Sequence, residues 1–113
     1  MKAGDIVLIR FPQADLEAGK LRPALVVAIA PDQHEGGLLA LITSRLYQAI
    51  PEFDEIINEN DDDYSDSGLK KTSVIRLARL ASVEKSVIAA RLGNISEERL
   101  RRVRDRLTDW LKE

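Results

Sequence analysis

The stretch PALVVAIAPDQHEGGLLALIT, residues 23–43, decides the fold class of this chain. It contains two apolar runs, residues 24–29 and 38–43, which are separated by a polar turn with two consecutive glycines. Aliphatic and β-branched residues favour strands, whereas Pro and Gly at the borders favour turns. Because no helix fits between runs this close together, the pattern predicts an antiparallel, barrel-like sheet and not alternating strands and helices.

Further strands are predicted on both sides of this stretch. Apolar patterns place three of them at residues 6–11, 56–57 and 87–92. Residues 73–79 form a fourth, in which strict alternation would put Arg76 and Arg79 on opposite faces of the sheet.

The segment from residue 96 to the end, SEERLRRVRDRLTDWLKE, predicts one amphipathic helix. Ser96 should cap its N-terminus, and the two glutamates that follow interact favourably with the helix dipole. The apolar face, which should pack on the core, consists of Leu100, Val103, Leu107 and Trp110. The opposite face carries Arg99, Arg101, Arg102 and Arg106.

The composition is that of one globular domain, over residues 1–113, with 44% apolar and 32% charged residues. The lack of Cys excludes disulfides, zinc ribbons and thiol nucleophiles. The one histidine, His34, excludes mechanisms and metal sites that need two imidazoles in one subunit, and we expect it at the surface. The longest apolar run, residues 23–30, is too short to span a bilayer, so we expect a cytoplasmic protein without a membrane partner.

Charge is unevenly distributed along the chain. Seventeen Lys and Arg against nineteen Asp and Glu give a net charge of -2, which by itself argues against a nucleic-acid partner. However, residues 45–66 hold eight acids against one base, a net charge of -7, and residues 70–106 hold eleven bases against four acids, a net charge of +7. Since charges more than about 8 Å apart are largely screened at physiological salt, RNA would respond to the basic region and not to the total.

One segment carries neither a clear strand nor a clear helix pattern. The run NENDDDYSDSG, residues 58–68, has too few apolar residues to order itself, so we expect a mobile, solvated loop. A calcium loop is the alternative, but Asp61-Asp62-Asp63 lacks the alternating ligand spacing and the distal glutamate of that motif.

Two polar side chains stand out beside the strands. Arg22 lies just before the run at residues 24–29, and Thr43 ends the run at residues 38–43. In an antiparallel pair the start of one strand lies beside the end of the next, so Arg22 and Thr43 should meet at one edge of the sheet. A guanidinium beside a hydroxyl can bind phosphate oxygens from two directions. The alternative is an ordinary surface arginine and an ordinary strand threonine.

Several short phrases, in their order and spacing, resemble the MazF/PemK family of toxins over nearly the whole chain. They are GDIV at residues 4–7, KLRPALVV at residues 20–27, ALITS at residues 40–44, SVIRL at residues 73–77 and RLGNIS at residues 91–96. The resemblance implies a mainly β fold, a compact SH3-like β-barrel with a C-terminal α-helix, that works as a homodimer. It also implies the toxin of a toxin–antitoxin pair, which cuts single-stranded RNA, often mRNA, without a metal or other cofactor.

The resemblance matches Arg22 to the family's catalytic arginine and Thr43 to its catalytic threonine, with Ser44 as the substitute if the register slips by one residue. RNA supplies its own nucleophile, the 2′-OH, so the protein must align it with the P–O5′ bond, stabilise the phosphorane charge and move protons. A guanidinium and a hydroxyl suit the charge stabilisation. Arginine is a poor base, so Arg22, a water and Glu17 are all candidates for accepting the 2′-OH proton.

Further residues are matched to substrate binding. The loop from Phe11 to Lys20 matches the segment that covers the substrate, and Ser44 lies beside the matched threonine. Arg79 falls where family members often carry a polar residue that contacts a base. Two acids inside the covering loop depart from what phosphate binding favours, unless they read bases or contact the antitoxin.

Two alternatives keep the same fold. Gyrase-poison toxins of the CcdB type act by binding a protein near the end of the C-terminal helix; Trp110 would be the anchor here, although its spacing from Leu107 favours a core position. The other alternative is a catalytically silent relative that binds RNA or antitoxin. For the nuclease, the cognate antitoxin should bring an acidic or extended segment to the groove around Arg22.

Overall fold

The computed structural model describes residues 1–10, 20–31 and 35–113. Within these ranges the chain forms six strands, two α-helices and two 3-10 turns. The strands are β1 (Asp5–Arg10), β2 (Leu21–Ile29), β3 (Gly37–Thr43), β4 (Glu55–Ile57), β5 (Ser73–Val83) and β6 (Ile88–Asn94). The helices are α1 (Tyr64–Ser67) and α2 (Glu97–Leu111). The predictions made for Phe11, Glu17 and His34 lie outside the described residues.

The six strands form one antiparallel sheet with the order β4-β5-β3-β2-β1-β6. The predicted mainly β fold with a C-terminal helix is therefore confirmed. In the part of the chain that the structure describes, the edge strands β4 and β6 do not pair with each other, so the barrel is not closed. None of the helices in that part is long and apolar enough to cross a membrane.

Both faces of the sheet are buried by apolar side chains. Ile6, Leu25 and Ala40 are registered side by side and form the main core with Val103 and Leu107 of α2. A second cluster consists of Val7, Ile9, Ala24, Val26 and Leu39. Because alternate residues of a strand point to opposite faces, a strand that serves both clusters must be apolar at consecutive positions, as β1 is.

The start of α2 follows from its sequence. The Oγ atom of Ser96 accepts a hydrogen bond from the backbone N–H of Arg99 at 3.1 Å, as expected for an N-cap. Burial of Val103 and Leu107 confirms the predicted apolar face over the middle of the helix.

Trp110, near the end of α2, is not a core residue. It is 41% exposed and packs edge-to-face on Phe53, with ring centroids 5.4 Å apart. The helical spacing predicted the correct side of the helix, but the last turn contacts the segment before β4 and not the sheet. The prediction of a core position was therefore wrong.

The acidic segment is ordered, contrary to the prediction of a mobile loop, because a buried arginine holds it. The Oδ2 atom of Asp63 accepts hydrogen bonds from the backbone N–H of Ser96 at 3.0 Å and from Arg99 Nε at 2.8 Å. The Arg99 guanidinium also donates to Asp61 at 2.8 Å and to Glu55 at 3.0 Å. Charge pairing with α2 thus replaces the apolar burial that the segment lacks.

These contacts lower the pKa values of both Asp61 and Asp63. Burial alone would raise the pKa of Asp63, but hydrogen bonds from Arg99 and from the Ser96 backbone outweigh it and hold the pKa below its ordinary value. The pKa of Asp61 is lowered first by the backbone N–H of Asn58 and further by Arg99. Both carboxylates are therefore stabilised in their charged form.

The short helix α1 packs tightly onto β6. Gly68 ends α1 in the left-handed region, with φ +73°, and a Cβ there would collide with the carbonyl of Leu92. A Cβ on Gly93 would collide with the carbonyl of Asp66. Glycine at both positions lets the two backbones approach this closely.

The central strand β5 is irregular. Leu41 of β3 pairs with Arg76, whereas the preceding residue, Ala40, pairs with Leu80. Residues 77–79 are therefore extra on the β5 side and form a bulge. A bulge breaks the strict alternation of faces, which matters for the residues described next.

Candidate functional site

Arg22, near the start of β2, and Thr43, at the end of β3, lie at the same end of two neighbouring strands. Ala24 of β2 pairs with Leu41 of β3, and continuing this register by two residues would set Arg22 opposite Thr43. Both residues line one open cleft with a volume of about 880 Å³. The structure thus brings together the two side chains that the sequence singled out.

A backbone contact orients the Thr43 hydroxyl. Its Oγ1 atom accepts a hydrogen bond from the backbone N–H of Arg45 at 3.1 Å, which is a turn typical of Ser and Thr. Because the oxygen accepts that bond, its own proton remains available to donate to an anion in the cleft. Ser44, the substitute for Thr43, also lines the cleft.

The cleft is strongly cationic. Six basic residues are among its described lining: Arg22, Arg45, Lys70, Lys71, Arg76 and Arg79. No carboxylate belongs to that lining. In a cleft with low-dielectric walls, side chains of one charge sign concentrate the electric field, so this cleft favours a polyanion.

The bulge in β5 contributes two of these cations. Arg76 and Arg79 both line the cleft, although strict alternation predicted them on opposite faces of the sheet. The three-residue register shift between Leu41 and Ala40 accounts for the difference, because it interrupts the period of two.

The arginines on the helix are not part of this cationic surface. Arg99 is buried with Asp61 and Asp63, as described above. Arg102 and Arg106 pair with Glu55, with nitrogen–oxygen distances of 3.0 and 2.8 Å. The basic region that the sequence defined as residues 70–106 therefore contains two kinds of cation. Arg99, Arg102 and Arg106 of α2 pair with acids, whereas Lys70, Lys71, Arg76 and Arg79 line the cleft and form no ion pair with the described residues.

The remaining predicted residues are placed as follows. Lys20 is exposed immediately before β2 and is not among the described lining of the cleft. Phe11 lies outside the described residues. Four cleft cations had no assigned role from the sequence: Arg45, Lys70, Lys71 and Arg76. In the sequence only their positive charge pointed to a role, and Arg99, Arg102 and Arg106 have the same charge but form ion pairs in the structure.

Metal ligands do not converge in the part of the chain that is described. No group of three His, Cys, Asp or Glu side chains in residues 1–10, 20–31 and 35–113 could hold a metal ion. Glu55, Asp61 and Asp63 do come together, but the Arg99 guanidinium lies at their centre.

Comparison with known sequences identifies the family. Residues 2–111 match the PemK-like, MazF-like toxins of type II toxin–antitoxin systems. The chain belongs to this toxin family. No protein of curated function matches this toxin in sequence.

Solved structures of similar shape cover the whole toxin. A crystal structure of MazF from Deinococcus radiodurans has a TM-score of 0.71 and 26% identity, covering 100% of this chain and 97% of that one. An endoribonuclease in complex with its cognate antitoxin, from Mycobacterial species, has a TM-score of 0.66 and covers 99% of this chain and 95% of its own. At 14% identity, the second likeness shows the fold alone.

Proposed function

We propose that this toxin is an endoribonuclease that cleaves single-stranded RNA, including mRNA, in the cleft at Arg22 and Thr43. One observation carries the proposal. Arg22 and Thr43 line the same cleft with five further cations, and no carboxylate belongs to its described lining. Membership of the MazF-like toxins and the fold shared with an antitoxin-bound endoribonuclease support the same activity.

The proposed chemistry uses the substrate's own nucleophile. The 2′-hydroxyl gives its proton to a base, for which Arg22, a water and Glu17 are the candidates, and its oxygen attacks the adjacent phosphorus. The bond from phosphorus to the 5′-oxygen breaks, and that oxygen takes up a proton from a cleft donor or from water. The Arg22 guanidinium stabilises the negative charge that develops on the phosphorane, and the Thr43 hydroxyl donates one more hydrogen bond to it. A nucleophile supplied by RNA makes a metal-activated water unnecessary, so we propose a metal-independent reaction.

Other residues of the cleft bind the RNA strand in this proposal. Ser44 lies beside Thr43, and Arg79 reaches the cleft from β5, where it can contact a base. Lys20 and Phe11, at the two ends of the segment before β2, are proposed to contact the substrate as well.

The antitoxin is proposed to compete for the same cleft. An acidic or extended antitoxin segment would place carboxylates where RNA places phosphates, because both neutralise the same cations. Adding the cognate antitoxin should therefore displace RNA, and raising the salt concentration should weaken both complexes.

A homodimer is proposed as the working form. Leu46, Tyr47 and Ile50, which follow β3, expose apolar side chains that a second copy could cover. Sedimentation at micromolar concentration should show a species of twice the 12.6 kDa chain mass. A species of the chain mass alone would contradict this part of the proposal.

Cleavage of a long single-stranded RNA in EDTA tests the activity. The wild type should cleave it, and Arg22→Ala should be slower by about a hundredfold or more, the usual effect of removing one transition-state donor. Arg101→Ala is the matched control, because Arg101 is exposed on α2 and lies outside the cleft's described lining.

Equal rates for the wild type and Arg22→Ala would contradict the assigned role of Arg22, and no cleavage by any of the proteins would overturn the activity. Inhibition of gyrase supercoiling without RNA cleavage would support the protein-binding alternative instead.

A further inference from the structure

Arg76 lines the cleft at a position that the pairing of β3 with β5 defines. It pairs with Leu41, which is two residues before Thr43 on β3. Paired residues share a face of the sheet, and so do alternate residues of one strand, so Arg76 is on the same face as Thr43. One strand across and two residues along, the α-carbons of Arg76 and Thr43 are roughly 8 Å apart by standard strand geometry.

The charge of Arg76 is not compensated by the described protein. The side chain is half-buried and forms no ion pair with residues 1–10, 20–31 or 35–113. Arg79, Lys70 and Lys71 line the same cleft and repel it. Arg99, in contrast, is buried against three carboxylates. Since a partly desolvated cation without a counter-ion is unfavourable, the position of Arg76 favours an anion from outside the chain.

The rows of the sheet have the spacing of a nucleic-acid backbone. Arg76 belongs to the row of Ala24 and Leu41, and the same register, continued by two residues, would set Arg22 and Thr43 in the next row on the same face. Such rows are about 6.7 Å apart, which is comparable with the separation of successive phosphates in an extended single strand. A guanidinium can also bind a phosphate through two parallel hydrogen bonds.

We propose that Arg76 binds the phosphate next to the scissile one and so sets the position of the RNA strand across Arg22 and Thr43. This inference rests on the proposed endoribonuclease function and adds a substrate-binding residue to it. The bulge at residues 77–79 is the feature that makes it possible, because it lets Arg76 and Arg79 contact the same strand of RNA.

Binding of an uncleavable RNA tests Arg76 independently of catalysis. The probe is a short, mixed-sequence RNA that carries 2′-O-methyl groups throughout, so it has no nucleophile. Arg76→Ala should weaken its binding about tenfold at moderate salt. The slope of log affinity against log salt should become shallower by about 0.7, the value for one lost phosphate contact on a single strand. Arg76→Lys should keep the slope, and Arg101→Ala should change neither quantity.

A cleavable RNA identifies which phosphate beside the cleavage site contacts Arg76. After the cleavage site has been mapped, neutral methylphosphonate linkages are placed one at a time on either side of it. One adjacent linkage should raise the KM of the wild type about tenfold but leave that of Arg76→Ala unchanged, with little effect on kcat in either protein. If Arg76→Ala folds poorly, the wild type still tests the proposal, because it alone must lose affinity when one adjacent phosphate is made neutral.

The outcomes separate the two proposals. An unchanged salt slope in Arg76→Ala, or a wild type insensitive to every adjacent methylphosphonate, would overturn the role of Arg76 and leave the nuclease intact. RNA binding with the predicted slope change but without cleavage would overturn the endoribonuclease activity and keep the phosphate contact.

Discussion

Arg99 Nε of α2 lies 2.8 Å from Oδ2 of Asp63, and both side chains are almost completely buried. The same guanidinium donates a second bond, from Nη2 to Asp63 Oδ1 at 3.0 Å, so the pair is bidentate. Asp63 also accepts a bond from the backbone N–H of Ser96, the cap of α2. One arginine therefore connects the acidic segment, the short strand β4 and the start of the C-terminal helix.

Removing one partner of this pair should be strongly destabilising. Asp63→Ala leaves the buried Arg99 without its main counter-ion, which typically costs about 3–5 kcal/mol of unfolding free energy. Urea or thermal denaturation measures the change. Asp62→Ala is the matched control, because Asp62 is exposed and should shift stability by less than about 0.5 kcal/mol. Equal stability of the two variants would show that the buried pair contributes little.

Stability should depend on pH through Asp61 and Asp63. Their pKa values are lowered in the folded protein, so they bind protons less readily when folded than when unfolded. Their contribution is fully present above about pH 4, the ordinary range of an unfolded carboxyl, and is lost as the pH falls through the lower folded pKa values. Urea midpoints of the wild type and Asp63→Asn should therefore converge on acidification. A gap of constant size down to the lowest pH at which the protein folds would contradict this.

The close contact of α1 with β6 should not tolerate a side chain. In Gly93→Ala the new methyl group would collide with the carbonyl of Asp66, so one of the two backbones must move. We expect a loss of about 1–3 kcal/mol, as for overpacking, measured by chemical denaturation. Ala89→Ser, at an exposed position on the same strand, is the control and should be nearly neutral.

The Thr43 hydroxyl should affect cleavage more than binding. Thr43→Val keeps the shape but removes the donor, so kcat should fall about ten- to a hundredfold while KM changes little. Thr43→Ser should retain most of the activity, because it keeps the hydroxyl. Single-turnover cleavage of RNA measures both. If Ser44→Ala lost activity and Thr43→Val did not, the catalytic hydroxyl would belong to Ser44.

Much of the scaffold could be predicted because its signals are local. The apolar runs that became β1 and β3, and the cap at Ser96, depend on residues a few positions apart. The meeting of Arg22 and Thr43 could also be predicted, since antiparallel pairing of adjacent strands brings the start of one to the end of the next. β2 begins earlier than expected, at Leu21, and includes Pro23, which pairs with Leu8 of β1.

The fate of the charges could not be predicted in this way. Sequence alone established opposite net charges in two regions, but Arg99 and Asp63 are 36 positions apart, and Arg102 and Glu55 are 47 apart. Ion pairing over such separations depends on how α2 packs across the sheet, which no short-range period encodes.

The sequence by itself determined the strands, the helix, the family and the two side chains at the edge of the sheet. Tertiary structure decided which cations remain available to a ligand. The packing of α2 neutralises Arg99, Arg102 and Arg106 against acids, whereas the bulge in β5 brings Arg76 and Arg79 into a cleft without described acids. The physical reason is that strand and helix patterns arise from neighbours along the chain, while electrostatic fields arise from neighbours in space.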